Sequence, residues 1–451
     1  MRTDALVKEV LTDENIEVLR DSCQELRFNK LDIAFLRKDL VFNSTDVIYC
    51  AMEGGDFMLL KEISLGNFKC LYQVSFEPGK VNVFIGANGS GKSTILEGIG
   101  LLSAAMTDRV DAASLQRKGI RLSVPTLYKS NFKSIERLKS TVDLSLKWID
   151  DSAEDVFSYD VHLTTPRNTE YWKYHSEALY QNGGRVWGRS HASAQQSNEY
   201  IGFFLIDDKP DLNVGRKIAK AFSAYGIYQP NTITLRGTAP DINQTTPIGL
   251  NGGRLAEAMK ALIHLVDGEV FFGEVEMIDI LEMIDWAESI KIAAPRKGNI
   301  NANVPTTRDI IEFTDRYMKD TAQFTGYDAS EGALYVLFML TLAMHPQAPS
   351  IFAVDNFDHA LNPRLAKKMM EVFCEQILKQ GKHVFLTTHN PLVLDGLDLN
   401  NDDVRLFTVD RDDNGYSQIQ RVKVSQELID AGQPLSRLWI NGRLGGVPLY
   451  I

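Results

Sequence analysis

Cysteine is scarce in this sequence of 451 residues, with four standing far apart at Cys23, Cys50, Cys70 and Cys374. No two are spaced like zinc ligands and no disulfide framework is suggested, so free or buried thiols in a reducing cytoplasm are expected. Long apolar runs are also missing. The most apolar stretch, Ala333 to Met344, is interrupted by Thr341 and falls short of the roughly 20 residues that a membrane-crossing helix needs. Positive charge is in deficit: 48 Lys and Arg face 59 Asp and Glu, a formal charge of −11. That balance argues against a dedicated basic nucleic-acid module, although a local basic face can hide inside it. The opening residues, MRTDALVKEVLTDENIEVL, are acidic and lack a signal peptide's apolar centre. Membrane, secreted, fibrous and disordered classes are not expected. What remains is ordinary globular composition, 44% hydrophobic, 24% charged and 9% aromatic. At roughly 150 residues per domain, the length suggests a few units.

Residues 1–56 read as an N-terminal extension with helical spacing of Ile16, Val18, Leu19, Cys23 and Leu26, ending at Gly54-Gly55-Asp56. Residues 57–125 alternate like strands, then pass from the apolar KVNVFIG through a glycine turn into a helix. Residues 126–320 read as a mixed insertion. Within it, LKSTVDLSLKWI and DVFSYDVHLTT look like strands, Tyr180 to Ser197 like a loop or hairpin, and Gly253 to Ile292 like a helix pair. No heptad run supports a coiled-coil arm. Residues 321–451 return to alternating helix and strand, closing with a hairpin around Asp412 to Gly415. One α/β domain interrupted by an α+β insertion is the simplest reading.

The strongest motif is Gly86-Ala87-Asn88-Gly89-Ser90-Gly91-Lys92-Ser93-Thr94, a phosphate loop between strand and helix. Its glycines let backbone N–H groups turn toward a polyphosphate, and the helix end adds partial positive charge. Lys92 is expected to reach the β and γ phosphates of ATP, and Ser93 to ligate Mg²⁺. A metal carboxylate is needed as well. Asp355, at the end of an apolar strand, fits, because ligands of parallel sheets bind at that edge. Ser330 and Gly332 open a helix and make a second anion site, unless Ser330 only caps the turn. His389 ends a further core strand.

The order of these segments resembles the ABC-type ATPase heads, which include the structural maintenance of chromosomes (SMC), RecF and overcoming-lysogenization-defect (OLD) proteins. LGNFKCLYQVSFEPGKVNVFIGANGSGKSTILEGI is similar to an SMC-like head. The segments YQPNTITLRG, TPIGLNGGRL, YDASEGAL, VDNFDHALNPRLA, TTHNPLVLDGL and LSRLWINGRLGGVP resemble the AAA15/AAA21 group of stand-alone, OLD-like ATPases in bacterial defence operons. The resemblance covers about residues 57–125 and 225–451. It implies an ABC-type P-loop head, a mixed sheet with flanking helices. It further implies a triphosphate held by Gly86 to Thr94, with Lys69 contacting phosphate. Ser330 and Gly332 would close on the ATP of a second subunit, His389 would sense the γ-phosphate, and Asp358 to Asn362 would form the dimer-contacting loop. Gln116 is the candidate for the metal-site glutamine, against the plainer reading of an exposed helix residue. Asn356 departs from the family, which usually has glutamate there. An amide can hold a water but cannot take its proton, so slow hydrolysis is expected.

OLD nucleases carry a Toprim domain after the head, and the stretch after His389 is too short for one. Asp410, Asp412 and Asp413 read as a hairpin turn better than as a metal cluster. Two functional readings follow. One is a regulatory ATPase, a homodimer or higher homo-oligomer that controls a separate nuclease or toxin in defence against phage. The alternative is a RecF- or SMC-like ATPase that binds DNA through Arg117, Lys118, Arg121, Lys129, Lys133, Arg137 and Lys139.

Overall fold

The computed structural model describes residues 58–446, except 151–154, 167–169, 191–198, 203, 205–211, 297–299, 302, 305–307, 320–322 and 424–432. The extension expected at 1–56, with its helical spacing, lies outside the described residues.

Strands β1 (Met58–Phe68) and β2 (Leu71–Phe76) precede the wholly buried β3 (Val81–Ile85). Helices α1 (Lys92–Thr107) and α2 (Ala112–Arg117) follow. An antiparallel run comes next: β4 (Thr141–Asp150), β5 (Asp155–Thr164), β6 (Lys173–Gln181) and β7 (Gly184–Arg189). Helix α3 (Asn213–Ser223), strand β8 (Ile227–Tyr228) and the short α4 (Thr232–Leu235) and α5 (Leu255–Lys260) lead on. Strands β9 (Ile263–Val266), β10 (Glu269–Phe272) and β11 (Val275–Glu276) form a small sheet. Helix α6 (Met277–Met283) precedes β12 (Ala287–Ala293), β13 (Ile310–Asp315) and β14 (Gln323–Thr325). Then come α7 (Glu331–Met344), β15 (Ile351–Val354), α8 (Pro363–Lys379) and β16 (His383–Thr387). Helix α9 (Pro391–Leu394), strands β17 (Val404–Arg411) and β18 (Ser417–Val422), and α10 (Leu435–Ile440) complete the described chain.

Two six-stranded sheets organise these elements. One is antiparallel, in the order β2-β1-β4-β5-β6-β7. The other runs β18-β17-β3-β16-β15-β8, with all neighbours parallel except the β17–β18 hairpin. Parallel strands covered on both faces read as continuous apolar runs, as VNVFI, IFAV and HVFLT do here. Alternate residues still sort by face. Val83, Val354 and Leu386 pack with α7 and α8, whereas Phe84, Ala353 and Phe385 pack with α1 and the antiparallel sheet. Helix α7 is buried from Ala333 to Met344, so its apolar run marks a core helix. Among the described residues no helix is long and apolar enough to cross a membrane.

The α/β P-loop head expected from the sequence is the fold observed, but its partition is different. The stretch 126–320 is not one separable insertion. Strand β4 pairs with β1, and β8 joins the parallel sheet beside β15. A two-residue strand is too short to show a period, so β8 carries no signal of its own. The expected helix pair at 253–292 shrinks to α5 and α6, with the β9–β10–β11 sheet between them. Asp267 and Gly268 both have left-handed φ, 51° and 91°, the signature of a tight hairpin turn rather than a helix. The Tyr180 to Ser197 stretch begins as the β6–β7 hairpin, turning at Asn182 and Gly183; residues 191–198 lie outside the described set.

Candidate functional site

Strand β3 ends at Ile85 and α1 starts at Lys92, so the glycine loop spans the gap at the carboxyl edge of the parallel sheet. Gly91 has φ 116°, and a Cβ there would overlap the Ser417 hydroxyl. The loop is held from behind by the β17–β18 hairpin. Ser417 Oγ donates to the Ser90 carbonyl at 2.6 Å, and Arg411 Nε to the Gly89 carbonyl at 2.8 Å. In a trans peptide the carbonyl and the next N–H point in opposite directions. Drawing the Ser90 carbonyl outward therefore turns the Gly91 N–H inward, as an anion nest requires. Ser90 Oγ is buried and has no hydrogen-bond partner among the described residues, which suits a hydroxyl awaiting a phosphate oxygen. Lys92 Nζ donates to the Gly86 and Ala87 carbonyls at 2.8 and 3.0 Å. Burial pushes its pKa down to about 8, against the opposing pull of Asp355.

Asp355 follows β15 and is 8% exposed. Its Oδ1 accepts from Ser93 Oγ at 2.9 Å and Thr387 Oγ1 at 2.5 Å. Its Oδ2 accepts from Gln229 Nε2 at 2.7 Å. Three neutral donors hold and orient this one carboxylate, as a ligand of a divalent cation is held. Ser93 and Asp355 therefore suit Mg²⁺. The glutamine at this carboxylate is Gln229; Gln116 stands exposed on α2. Register explains the placement. Tyr228 pairs with Val354, so the next residue on each strand, Gln229 and Asp355, emerges side by side. The signal lay in the YQPNTITLRG segment, but choosing that glutamine required the strand pairing.

Asn356 has a left-handed φ of 61° and an exposed side chain. Its N–H donates to Thr387 Oγ1 at 2.8 Å, and its carbonyl accepts from the Tyr335 hydroxyl at 3.2 Å. The backbone N–H of His389 donates to Asp358 Oδ1 at 3.2 Å, and Thr388 Oγ1 donates to the same oxygen at 2.7 Å. Desolvation first and Lys92 second lower the His389 pKa, with Asp358 and Asp355 opposing, so its ring is neutral at neutral pH.

Ser330 caps α7, accepting from the Ala333 N–H at 3.3 Å. A Cβ on Gly332 would stand 3.0 Å from the Ala360 carbonyl, so this helix start packs on the Asp358 to Asn362 loop. Glu331 accepts from Thr232 Oγ1 and lies 3.5 Å from His359 Nε2, while Arg236 donates to the Ala329 carbonyl at 3.0 Å. No hydrogen bond among the described residues joins Ser330 or Gly332 to the phosphate loop. Lys69, in the β1–β2 turn, is ion-paired to Glu97 of α1 at 2.5 Å. Asp412 accepts from the Asn414 and Tyr416 N–H groups at 2.9 Å, as a turn residue does. Asp410 Oδ2 accepts from the Gly446 N–H at 3.0 Å.

Among solved structures, the chain is similar to an SMC head bound to the C-winged helix domain of ScpA, at 11% identity and TM-score 0.48, covering 82% of this chain and 99% of that one. An SMC head domain from Thermotoga maritima matches at 14% identity and TM-score 0.43, covering 81% of this chain and 99% of that one. An Smc head with an extended coiled coil, bound to the C-terminal domain of ScpA derived from Pyrococcus furiosus, matches at 12% and 0.43, covering 83% and 99%. No curated protein matches the chain. The family described as "AAA domain, putative AbiEii toxin, Type IV TA system" matches residues 81–395. That span begins at β3 and includes Lys92, Gln229, Asp355 and His389. The chain belongs to this family of AAA domains.

Proposed function

We propose that this AAA-domain ATPase binds Mg-ATP at Gly86 to Thr94, closes around it as a homodimer or larger homo-oligomer, and turns it over slowly to regulate a separate effector in the cytoplasm. The observation that carries this reading is the convergence on Asp355 of Ser93, Gln229 and Thr387 beside the buried Lys92. Phosphate oxygens would replace the Gly86 and Ala87 carbonyls as acceptors for Lys92. Mg²⁺ held by Ser93 and Asp355 would supply charge neutralisation at the β and γ phosphates. The neutral His389 ring can donate one N–H toward the γ-phosphate. Asn356 can align a water but leaves its proton without a base, so turnover rests on positioning and charge. The nuclease or toxin effector and the phage-defence role extend the family resemblance to biology.

ATP turnover and oligomer mass, compared between wild type and Lys92→Ala, test the site. Loss of both in the variant is expected, and a variant that binds and turns over ATP normally overturns the assignment. Toxicity that appears only when the chain is expressed with an operon neighbour tests the effector role. The DNA-binding alternative loses most of its basic run to internal partners. Arg117 pairs with Asp108, buried Lys118 donates to the Ser223 carbonyl at 3.0 Å, Arg121 pairs with Glu97, and Lys139 with Asp143. Salt-sensitive duplex binding by the chain alone would reverse that preference.

A further inference from the structure

Glu97 lies on α1 four residues after Ser93. Residues four apart share a helix face, so Glu97 stands one turn below the hydroxyl that meets Asp355. Both its oxygens are taken by cations from separate elements. Lys69 Nζ, from the β1–β2 turn, lies 2.5 Å from Oε2. Arg121 Nε, from the segment after α2, lies 2.7 Å from Oε1. The Arg121 backbone N–H also donates to Oε1 at 3.3 Å.

The three partners differ in freedom. The Glu97 side chain is 3% exposed, that of Lys69 17%, and that of Arg121 68%. Lys69 also lies over the Phe68 and Tyr128 rings, at 5.3 and 5.8 Å from their centroids, which fixes it further. Lys69 with Glu97 is thus a sheltered pair, and Arg121 is the exposed cation. Taken alone, the Lys69–Glu97–Arg121 cluster has one surplus positive charge, one helical turn from Ser93. The Glu97 hydrogen bond holds the Arg121 pKa up, and Asp355 adds to it from further away, so the guanidinium is within the field of the metal carboxylate.

We propose that Glu97 is a positioning residue of the nucleotide site: it parks Lys69 and Arg121 beside the phosphate loop and yields Arg121 to the triphosphate when ATP binds. The proposal rests on the ATP-binding reading above and adds a residue that acts through two others. A buried ion pair that only held the fold would need one cation and could be replaced by neutral groups at little cost. Here the surplus cation is the exposed one, and its holder stands one helical turn from Ser93 of the phosphate loop.

The test uses the full-length chain, with ATP affinity, steady-state kcat and Tm measured for E97Q, R121Q and the double variant. In E97Q the local charge becomes more positive while the cations lose their holder. ATP affinity should therefore be kept or tightened while kcat falls roughly tenfold, within the range that misplacing one group costs. R121Q should lower kcat by a similar factor with Tm unchanged, because its side chain is exposed. The double variant should be no slower than R121Q. A lower Tm for E97Q with unchanged kcat and affinity overturns the proposal in favour of a fold-holding pair. Losses that multiply in the double variant also overturn it. If E97Q does not fold, R121Q decides: a wild-type kcat there rejects the proposal. Failure of the ATP reading itself would show separately, as Lys92→Ala retaining ATP binding.

Discussion

The proposed function puts Asn356 where ABC-type heads usually carry glutamate, and its backbone would offer a reason. Its φ of 61° lies in the left-handed region, which asparagine tolerates and most side chains enter at a cost of roughly 1–2 kcal/mol. The residue therefore suits the turn, whatever its part in the chemistry. Asn356→Glu should lower Tm by a few degrees and still raise the single-turnover rate by about a hundredfold or more, the scale of a general base. An unchanged rate would mean that Asn356 does not limit hydrolysis. Lys92 yields a second expectation at this scale. Its pKa falls from 10.5 to about 8 because of burial. Phosphates beside the ammonium restore its charge preference, so ATP binding just above that pH must take up part of a proton. The sign is fixed: well below about 8 the lysine is already charged and uptake vanishes, while affinity declines as pH rises through about 8. Calorimetry in buffers of different ionisation enthalpy checks this, and an affinity that is flat from neutrality to about pH 9 would contradict it.

At the scale of elements, the phosphate loop is shaped by a hairpin more than three hundred positions later in the chain, through Ser417 to Ser90 and Arg411 to Gly89. Ser417→Ala removes one buried hydrogen bond of roughly 1 kcal/mol. If that bond sets the loop's N–H groups, ATP should bind about fivefold more weakly while kcat changes little. A loss of kcat with affinity intact would show that the hairpin does something else. None of this contact is readable in sequence, because Ser417 belongs to no motif. The motifs themselves were legible. Strands β3, β15 and β16 announce themselves as short apolar runs, and α7 as a longer one. Their edge then collects Lys92, Asp355 and Thr387 by the geometry of parallel strands. Gln229 was hidden because β8 has two residues and no period. The β9–β11 sheet shows no clean period in sequence because exposed and buried apolar residues mix there, with Leu265 at 71% exposure and Phe272 fully buried. Glu97 was hidden for another reason, since a carboxylate inside an apolar helix reads as a surface residue until its two cations are seen.

For the whole molecule, the proposed function treats each chain as carrying two incomplete halves of a nucleotide site. One is the phosphate loop with Asp355; the other is the exposed Ser330 at the start of α7. A helix start with free N–H groups favours an anion, yet its capping serine reaches no part of its own phosphate loop. In the proposed dimer, closure against a second copy would join the halves, and a two-fold arrangement would hold two sites, each built from both chains. Overall charge opposes that approach, because each chain carries a formal −11, so moderate salt should help assembly by screening the repulsion. Mixing two disabled variants separates this arrangement from a site complete in one chain. Lys92→Ala keeps an intact Ser330 half, and Ser330→Arg keeps an intact phosphate loop. Each alone should be inactive, with Ser330→Arg still binding ATP normally as a monomer. Mixed in equal amounts, they can form heterodimers in which one of the two sites is intact. Because neither variant is expected to self-associate, heterodimers dominate the mixture, and up to about half of wild-type turnover returns. A mixture no more active than its components, from variants that bind ATP and fold as expected, would show that Ser330 does not complete a partner's site.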